Sequence, residues 1–596
     1  MGSRRAVRVA ALAVTLAILV AGCVSVPTSG HVQSVNIKQP GAGQSQDYLQ
    51  PIPVPPGRNW TPGQIVSGFL AANASFAGNH AVARQYLVPA ASRKWRPGWS
   101  VTVYGQNLAV RQANAPQAPR GKAATTTVTV SGRVLGSVTS SDQYVISSAK
   151  HAAGQASFTL VRRHGQWRIS ALPDHLLLTE SDFQRVYQPR NLYFFAPSRQ
   201  ALVPDPVYVP QSATPTDLVT GLVQALTTGP AGWLLGAVRT GFPPGTKLVS
   251  DVALDGGTAI VDLGGAAAHA STTTLRQISA QLLWTLAGSC SAQSAIQSVE
   301  LETNGKPRIL PGSGSPVQQI GTYCGYVPSA PAGARFYYVD ARGAVETMPS
   351  ASSRGGEAPQ GKVAPGGAGT GDISLAKAAV SPDRRYVAGL SHGGTVYTGS
   401  LSGGAALSRR MSGGAITSLS WDSHDDLWVA GRGGVWMLPA RGGAAIPAAG
   451  APPAGGHVTA LKVAPDGARC AMIVSSATGS QLVLGAIVRN GQQAAITATV
   501  PISSTGSQFT ALTWYGANHV IALSQSSGGS ELEEIPVNGG NPYKFPAAQD
   551  SVSITAAGPA NPLIAGLSDG QMVTLASLGG LWSGAVGTGS HPVYPG

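Results

Sequence analysis

The C-terminal half of the chain repeats one pattern, and this repetition limits the folds that are open to it. Each unit predicts a strand, a turn and a second strand, and the units recur roughly every 40 to 50 residues, the period of a propeller blade. The five copies lie at residues 380–388, 420–430, 463–471, 513–522 and 560–565. With a further strand predicted from Arg335, residues 335–596 are expected to form an all-β propeller of about six blades.

The ends of such a ring have to meet. We expect sequence near Tyr337 to pair with the last strands near Val573, because closure removes two free sheet edges. A solenoid of β-hairpins is the rival architecture for the same period.

Two copies of the motif G-x-S-x-G lie inside the repeats, around Ser391 and Ser568. In serine hydrolases this motif needs a strand before it and a helix after it. Here strand-forming residues follow both copies, and both occupy the same place in their repeats. We therefore predict hairpin turns rather than a serine hydrolase.

Signals for a metal site are thin, since neither H-E-x-x-H nor C-x-x-C occurs. The cluster that comes closest to a set of metal ligands is a mainly acidic one, Asp422, His424, Asp425 and Asp426. We predict a solvated blade turn there, with a calcium site as the alternative. No catalytic residue, metal or cofactor is predicted, and the chain is not expected to be an enzyme.

The N-terminus has the features of a lipoprotein export signal. Three arginines within the first eight residues precede an apolar run over 9–21, and Val20-Ala21-Gly22-Cys23 at its end has the pattern of a lipobox. The run is shorter than the roughly 20 residues that a membrane-spanning helix needs. We predict a signal peptide over 1–22 and a lipid on Cys23 at the extracytoplasmic face of the cell membrane. An ordinary signal peptide or an anchor helix is the alternative, and the export route, Sec or twin-arginine, stays open.

Residues 23–58 are rich in Ser, Gly, Gln and Pro and are predicted to form a flexible tether. The whole chain carries a formal net charge of +14, which favours anionic lipid headgroups or an anionic wall polymer as contacts. The alternative is that this diffuse charge only keeps the protein soluble. Nucleic acid is not expected as a partner, because the sequence has no run of Lys or Arg that could bind along a phosphate backbone.

Residues 59–189 predict helices followed by an antiparallel sheet, an α+β domain. Helices are expected from Thr61-Pro62 and over 80–87. Strands are expected over 99–110, 123–138, 144–148 and 156–172. This order resembles the cone-shaped fold of the NTF2-like type. His164 is expected in a hairpin turn and Asp142 in a loop, so neither is predicted to be catalytic.

Residues 190–325 predict a strand-strand-helix pattern that occurs twice. The first helix is expected over 215–226 with Thr214 as its cap, and the second over 273–287. Together with the words at 191–194, 204–209 and 281–286, the pattern resembles the GerMN domain. That resemblance implies contact with other envelope proteins rather than chemistry.

Cysteine use agrees with an exported protein. Cys290 follows a predicted helix and Cys324 a predicted strand of the same domain, so we predict that they form a disulfide. Cys470 falls at a strand position of the propeller and is predicted to be buried and free.

A lipobox, a cone-like domain, a GerMN-like domain and a C-terminal propeller together resemble the LpqB family of lipoproteins. This family is encoded beside a two-component system. The resemblance implies that the protein works with the extracellular domain of an MtrB-type sensor histidine kinase and affects cell-wall homeostasis and division.

A cell-wall polymer or glycan binder is the alternative function. The residues that could stack on sugars are Trp421, Trp428, Trp436 and Trp514, although most of them are expected in the core. A solute-binding component of a transporter would need two lobes of alternating strands and helices, which the sequence does not show.

Overall fold

The structure is a computed structural model. It describes residues 52–113, 124–147, 152–211, 214–291, 293–350, 361–413, 415–450, 456–477, 479–504, 507–526 and 529–596. These residues belong to one compact unit, 47–596. The predicted signal peptide, Cys23 and most of the predicted tether lie outside the described residues. Among the described helices, none is both long and apolar enough to cross a membrane.

The N-terminal domain begins with three helices, α1 (Pro62–Asn73), α2 (Ala77–Gln85) and α3 (Pro89–Lys94). Thr61 caps α1 as expected. Its hydroxyl accepts from the Gln64 backbone N–H at 3.3 Å, and the Gln64 side-chain oxygen accepts from the Thr61 backbone N–H at 2.9 Å. Residues 78–80 at the start of α2 have positive φ, so the regular part of this helix begins after His80.

Seven strands follow the helices: β1 (Val101–Tyr104), β2 (Ala109–Gln112), β3 (Thr125–Val138), β4 (Tyr144–Ile146), β5 (Ala153–Arg163), β6 (Gln166–Ala171) and β7 (Leu176–Thr179). Their order is β6-β5-β3-β1-β7, and α4 (Glu180–Val186) closes the domain. The β1–β7 pair is parallel, unlike the antiparallel sheet that we expected. The single strand expected over 99–110 is wrong, because β1 and β2 are separate strands that pair with different parts of the long β3.

The middle domain opens with the hairpin of β8 (Tyr187–Phe195) and β9 (Leu202–Pro210). The other strands are β10 (Thr246–Leu248), β11 (Ala253–Asp255), β12 (Thr258–Gly265), β13 (Ser298–Thr303), β14 (Lys306–Pro307) and β15 (Val317–Gln319). The helices are α5 (Pro215–Thr228) and α6 (Thr272–Ala287), with 3-10 turns at Gly232–Leu234, Ala266–His269 and Ile320–Tyr326. Thr214 caps α5 by accepting from the Asp217 amide.

The propeller follows. Its strands are β16 (Arg335–Val339), β17 (Val345–Pro349), β18 (Lys362–Val363), β19 (Leu375–Val380), β20 (Tyr386–Ser391), β21 (Thr395–Ser400), β22 (Ser408–Ser412), β23 (Ile416–Trp421), β24 (Asp426–Gly431), β25 (Gly434–Pro439), β26 (Ile446–Pro447), β27 (His457–Val463), β28 (Arg469–Ser476), β29 (Gly479–Asn490), β30 (Gln493–Pro501), β31 (Phe509–Tyr515), β32 (His519–Ser526), β33 (Gly529–Pro536), β34 (Tyr543–Pro546), β35 (Ser551–Thr555), β36 (Leu563–Leu567), β37 (Gln571–Leu575), β38 (Trp582–Thr588) and β39 (Ser590–Val593).

Within the described residues these strands form six four-stranded antiparallel sheets, as expected. Blade 1 combines β16, β17 and β18 with β39. Blades 2 to 6 each take four consecutive strands. Tyr337 pairs with Val593, so the last strand of the chain closes the ring. The partner that we expected near Val573 is wrong, because that residue lies in β37 inside blade 6.

Candidate functional site

The middle domain and the propeller share one hydrophobic core. A continuous cluster of buried apolar side chains includes Phe194 and Leu226 of the middle domain together with Leu482 and Trp514 of blades 4 and 5. An interface that continues the core of both domains disfavours independent domain motion. We call this region the propeller junction.

Arg469, the first residue of β28, lies fully buried at the propeller junction. Its Nε and Nη2 donate to Asp466 Oδ2 at 3.0 and 2.7 Å. Nη2 also donates to the Ala517 carbonyl of blade 5 at 2.6 Å, and the guanidinium lies over the Trp514 ring at 5.1 Å. Nη1 lies 3.5 Å from the Pro204 carbonyl oxygen of β9. One paired cation thus contacts two blades and the middle domain, and its carboxylate partner offsets the cost of burying the charge.

Asp205 of β9 lies next to this arginine and is also fully buried. Its carboxylate accepts from the Ala231 amide at 2.6 Å and from Trp233 Nε1 at 3.3 Å. Burial raises the pKa of Asp205 to about 6, although both hydrogen bonds and the charge of Arg469 act in the opposite direction.

A second junction, formed by aromatic rings, joins the N-terminal and middle domains. Phe183 of α4 lies 5.1 Å from Tyr208 of β9 and 5.5 Å from Tyr144 of β4, measured between ring centroids. The Tyr187 ring also stacks on Phe183, with 5.1 Å between the ring centroids. Such contacts add stabilisation beyond apolar burial and hold the two domains together.

The propeller reaches this aromatic cluster through a turn of blade 5. Gly539 has a φ of +75°, and a Cβ at this position would lie 3.1 Å from Tyr144 Cδ1. The Tyr208 amide donates to the Asp142 carbonyl at 2.7 Å, so the predicted loop of Asp142 is part of the junction. Burial raises the pKa of the Asp142 carboxyl to about 6. The three domains therefore meet at one place.

Of the predicted site residues, Cys23 lies outside the described residues. Cys290 and Cys324 are joined by a disulfide with a Cα–Cα distance of 5.8 Å, which ties the end of α6 to the 3-10 turn Ile320–Tyr326. Cys470 is buried and free, and burial raises its pKa to about 12, so the thiol is unreactive.

Both G-x-S-x-G motifs are turns between strands. Ser391 ends β20 and is followed by β21, and Ser568 lies between β36 and β37. His164 also lies in a hairpin turn, between β5 and β6. The nucleophile elbow requires a helix after the serine, and neither motif has one.

The acidic group differs from the expected solvated turn. Asp422 is buried, accepts from Trp428 Nε1 at 2.7 Å and is ion-paired with Arg489. Arg489 Nη1 also lies 2.8 Å from Asp426 Oδ2. The turn is thus part of a structural ion pair between blades 3 and 4. Across the described ranges, no group of three or more His, Cys, Asp or Glu is placed to hold a metal.

The tryptophans proposed to stack on sugars are mostly core residues, as expected. Trp421, Trp428 and Trp514 are buried, and only Trp436 is half-buried. Trp421 Nε1 donates to the Ala379 carbonyl at 3.1 Å, and Trp514 Nε1 donates to the Lys462 carbonyl at 2.9 Å. These indoles therefore join neighbouring blades.

Sequence reasoning missed Arg469, Asp205 and a pair of lysines at the propeller axis, Lys377 and Lys462. The pairing of Arg469 with Asp466 had a signal, because the two residues flank a blade turn three positions apart. For Lys462, an alignment of the repeats would have shown a lysine where other blades have Ser420 or Thr513.

The family models that match the chain agree with this architecture. Three family models match: "Lipoprotein LpqB, N-terminal domain" over residues 55–184, "Sporulation and spore germination" over 191–309, and "Lipoprotein LpqB beta-propeller domain" over 357–595. Among solved structures, the β-propeller domain of Myceliophteria thermophila Cps50 (Swd1) matches with 17% identity and a TM-score of 0.27, covering 34% of this chain and 64% of that chain.

Curated relatives match along the whole chain. Lipoprotein LpqB of Thermobifida fusca (strain YX) is 30% identical over 648 residues, with 100% of both chains covered. Lipoprotein LpqB of Streptomyces avermitilis is 31% identical over 628 residues, covering 100% of this chain and 99% of the relative. The chain therefore belongs to the LpqB lipoprotein family.

Proposed function

We propose that this protein is a lipid-anchored, extracytoplasmic accessory of an MtrB-type sensor histidine kinase. It acts without catalysis and affects cell-wall homeostasis and division. The observation that carries the proposal is the junction at which the three domains meet around Arg469 and the aromatic cluster. A body held together in this way presents its surfaces to a partner in a constant arrangement.

The candidate chemical motifs support a binding role. The serines of both G-x-S-x-G motifs lie in hairpin turns, and Asp422 and Asp426 are occupied by Arg489. These two carboxylates therefore have a structural partner, and both serines stand in turns that lack the helix a nucleophile elbow needs. Lipid on Cys23 would keep the body beside the membrane in which a sensor kinase resides.

The test is a pull-down from membranes with the tagged full-length protein, analysed by mass spectrometry. The kinase is expected with the wild-type protein and to be lost with Cys23→Ala, which cannot accept the lipid. Ser25→Ala, a similar change two residues away, is the matched control and should recover the kinase. If repeated pull-downs with the wild-type protein yield no kinase, the proposal is contradicted.

Deletion of residues 335–596 is a poor test, because it would expose the apolar face that the middle domain buries against blades 4 and 5. A single substitution in the full-length chain is preferable, because it leaves the hydrophobic core shared by the middle domain and the propeller in place.

The alternative, a cell-wall polymer or glycan binder, has lost part of its support. Three of the four tryptophans that could stack on sugars are buried. Recovery of wall polymer without kinase in the same pull-down would favour this alternative.

A further inference from the structure

Six strands surround the propeller axis: β19, β23, β27, β31, β35 and β39. Each is the first or last strand of its sheet, so one backbone edge has no partner within the blade. Hydroxyl side chains of the neighbouring blade satisfy several of these groups. Ser420 Oγ accepts from the Val463 amide at 3.0 Å, and Thr513 Oγ1 accepts from the Ala556 amide at 3.2 Å. This is the ordinary way in which the axis is built.

Two blades depart from this pattern by placing a lysine on the axial strand. Lys377 of β19 donates through Nζ to the Thr417 carbonyl at 3.0 Å, and Lys462 of β27 donates to the Leu419 carbonyl at 3.2 Å. Both acceptors lie on β23, two residues apart, which corresponds to about 7 Å along a strand. The two ammonium groups therefore approach the same stretch of β23 from either side.

A histidine from a third blade faces the same place. His591 lies on β39, and its pKa is lowered to about 4 by burial and then by the charges of Lys377 and Lys462. Burial, followed by the charge of Lys377, lowers the pKa of Lys462 to about 8. The three groups are thus close enough to repel one another, and the imidazole is neutral at pH 7.

These lysines differ from the arginines Arg469 and Arg489 of the same propeller. Each of those arginines has an aspartate within ion-pair distance. Within the part of the chain that the structure describes, no carboxylate forms an ion pair with Lys377 or Lys462. Both lysines are half-buried, and two like charges in such a place are costly. An anion between them would offset that cost.

The donors fit an oxyanion. An ammonium group has three N–H donors, and the structure shows one hydrogen bond for each lysine. The remaining donors, with one N–H of the His591 ring, can reach separate oxygens of a tetrahedral group. We propose that the axis of the propeller is a binding site for a phosphate group, held by Lys377, Lys462 and His591. The group can be inorganic phosphate or the phosphodiester of a larger molecule.

This inference does not depend on the kinase partnership, and its test uses the full-length protein in detergent with chloride as the only other anion. Calorimetry with inorganic phosphate at pH 7 should show saturable binding. Lys377→Gln with Lys462→Gln should weaken it about tenfold or more, because both charged donors are lost. Arg432→Gln with Arg441→Gln makes the same change in net charge at exposed positions of the propeller and should leave the affinity within about twofold.

A second titration with glycerophosphoglycerol separates the two sources of the phosphate group. Tighter binding of this diester than of inorganic phosphate would point to a polymer or a lipid headgroup, and the reverse would point to free phosphate. Equal binding by the wild-type protein and the lysine variant would overturn the proposal.

A measurement on the wild-type protein alone guards against misfolding of the variant. Phosphate should raise the pKa of His591, because the bound anion offsets the charges of the two lysines. NMR of 13C-labelled histidine measures this pKa. An unchanged His591 pKa at saturating phosphate would also overturn the proposal.

Discussion

The propeller has a fully buried arginine at the propeller junction and two half-buried lysines at its axis, and the partners of these cations differ. At the propeller junction, Arg469 is paired with Asp466 and contacts two blades and the middle domain. At the axis, Lys377 and Lys462 donate only to main-chain carbonyls among the hydrogen bonds described for them. A cation with a built-in counter-charge stabilises the assembly, whereas a cation without one is better suited to bind a ligand.

The largest expected effect comes from breaking the paired cation. Arg469→Met should lower the free energy of unfolding by about 3 to 5 kcal/mol, because it leaves the buried Asp466 carboxylate without its counter-charge. Urea unfolding at pH 7 measures the change. The double variant Arg469→Met, Asp466→Leu removes both charges and should recover most of the loss. A double variant as unstable as the single one would show that the ion pair is not the reason for the loss.

Removing the disulfide should destabilise the middle domain, which forms one side of the propeller junction. Cys290 and Cys324 are 34 residues apart, so their replacement by alanine should cost about 3 to 4 kcal/mol through the entropy of the unfolded chain. Urea unfolding again gives the value. Phosphate binding should be unchanged, since the disulfide lies in the middle domain and the lysines lie at the axis. Loss of phosphate binding in this variant would mean that the two regions are coupled.

The buried carboxyl of Asp205 should make the junction sensitive to pH. Its pKa is about 6 in the folded protein and about 4 in an unfolded chain, so the folded state binds more protons between pH 4 and 6. Stability contributed by Asp205 therefore falls as pH rises through this window. Asp205→Asn cannot titrate, and its stability relative to wild type should rise by roughly 3 kcal/mol from pH 4 to pH 7.

Unfolding curves at several pH values test this expectation. Asp255→Asn makes the same chemical change at an exposed position and is the control. A constant difference between Asp205→Asn and wild type across pH 4 to 7 would contradict the assignment.

The smallest effect, and the most distinctive, should come from the axis. In phosphate-free buffer at pH 7, Lys462→Met should raise the free energy of unfolding by about 1 kcal/mol, because it removes a poorly solvated charge next to Lys377. The change in the free energy of unfolding therefore has the opposite sign to the change expected for Arg469→Met. Saturating phosphate should stabilise the wild-type protein more than this variant. Destabilisation in both buffers would indicate that Lys462 is structural, as Arg469 is.

The sequence was sufficient for most of the fold. The repeat period predicted six blades, and capping residues such as Thr61 and Thr214 predicted where helices begin. The closing strand was placed wrongly because β37 and β39 both follow the last repeat, and only the pairing of Tyr337 with Val593 distinguishes them.

The site was harder to predict, because its charges meet across long stretches of sequence. Asp422 looked like a solvated turn residue because its partner, Arg489, lies 67 residues away in another blade. Lys377, Lys462 and His591 come from three blades, and no local pattern connects them. Closure of the ring, rather than any motif, brings these residues together.

The most direct test of the proposed function is binding between the purified full-length protein and the purified extracellular domain of the sensor kinase, measured by biolayer interferometry. The account predicts saturable binding by the wild-type protein and weaker binding by Arg469→Met, in which the contact between the middle domain and the propeller is weakened. No saturable binding by a correctly folded wild-type protein would contradict direct kinase partnership.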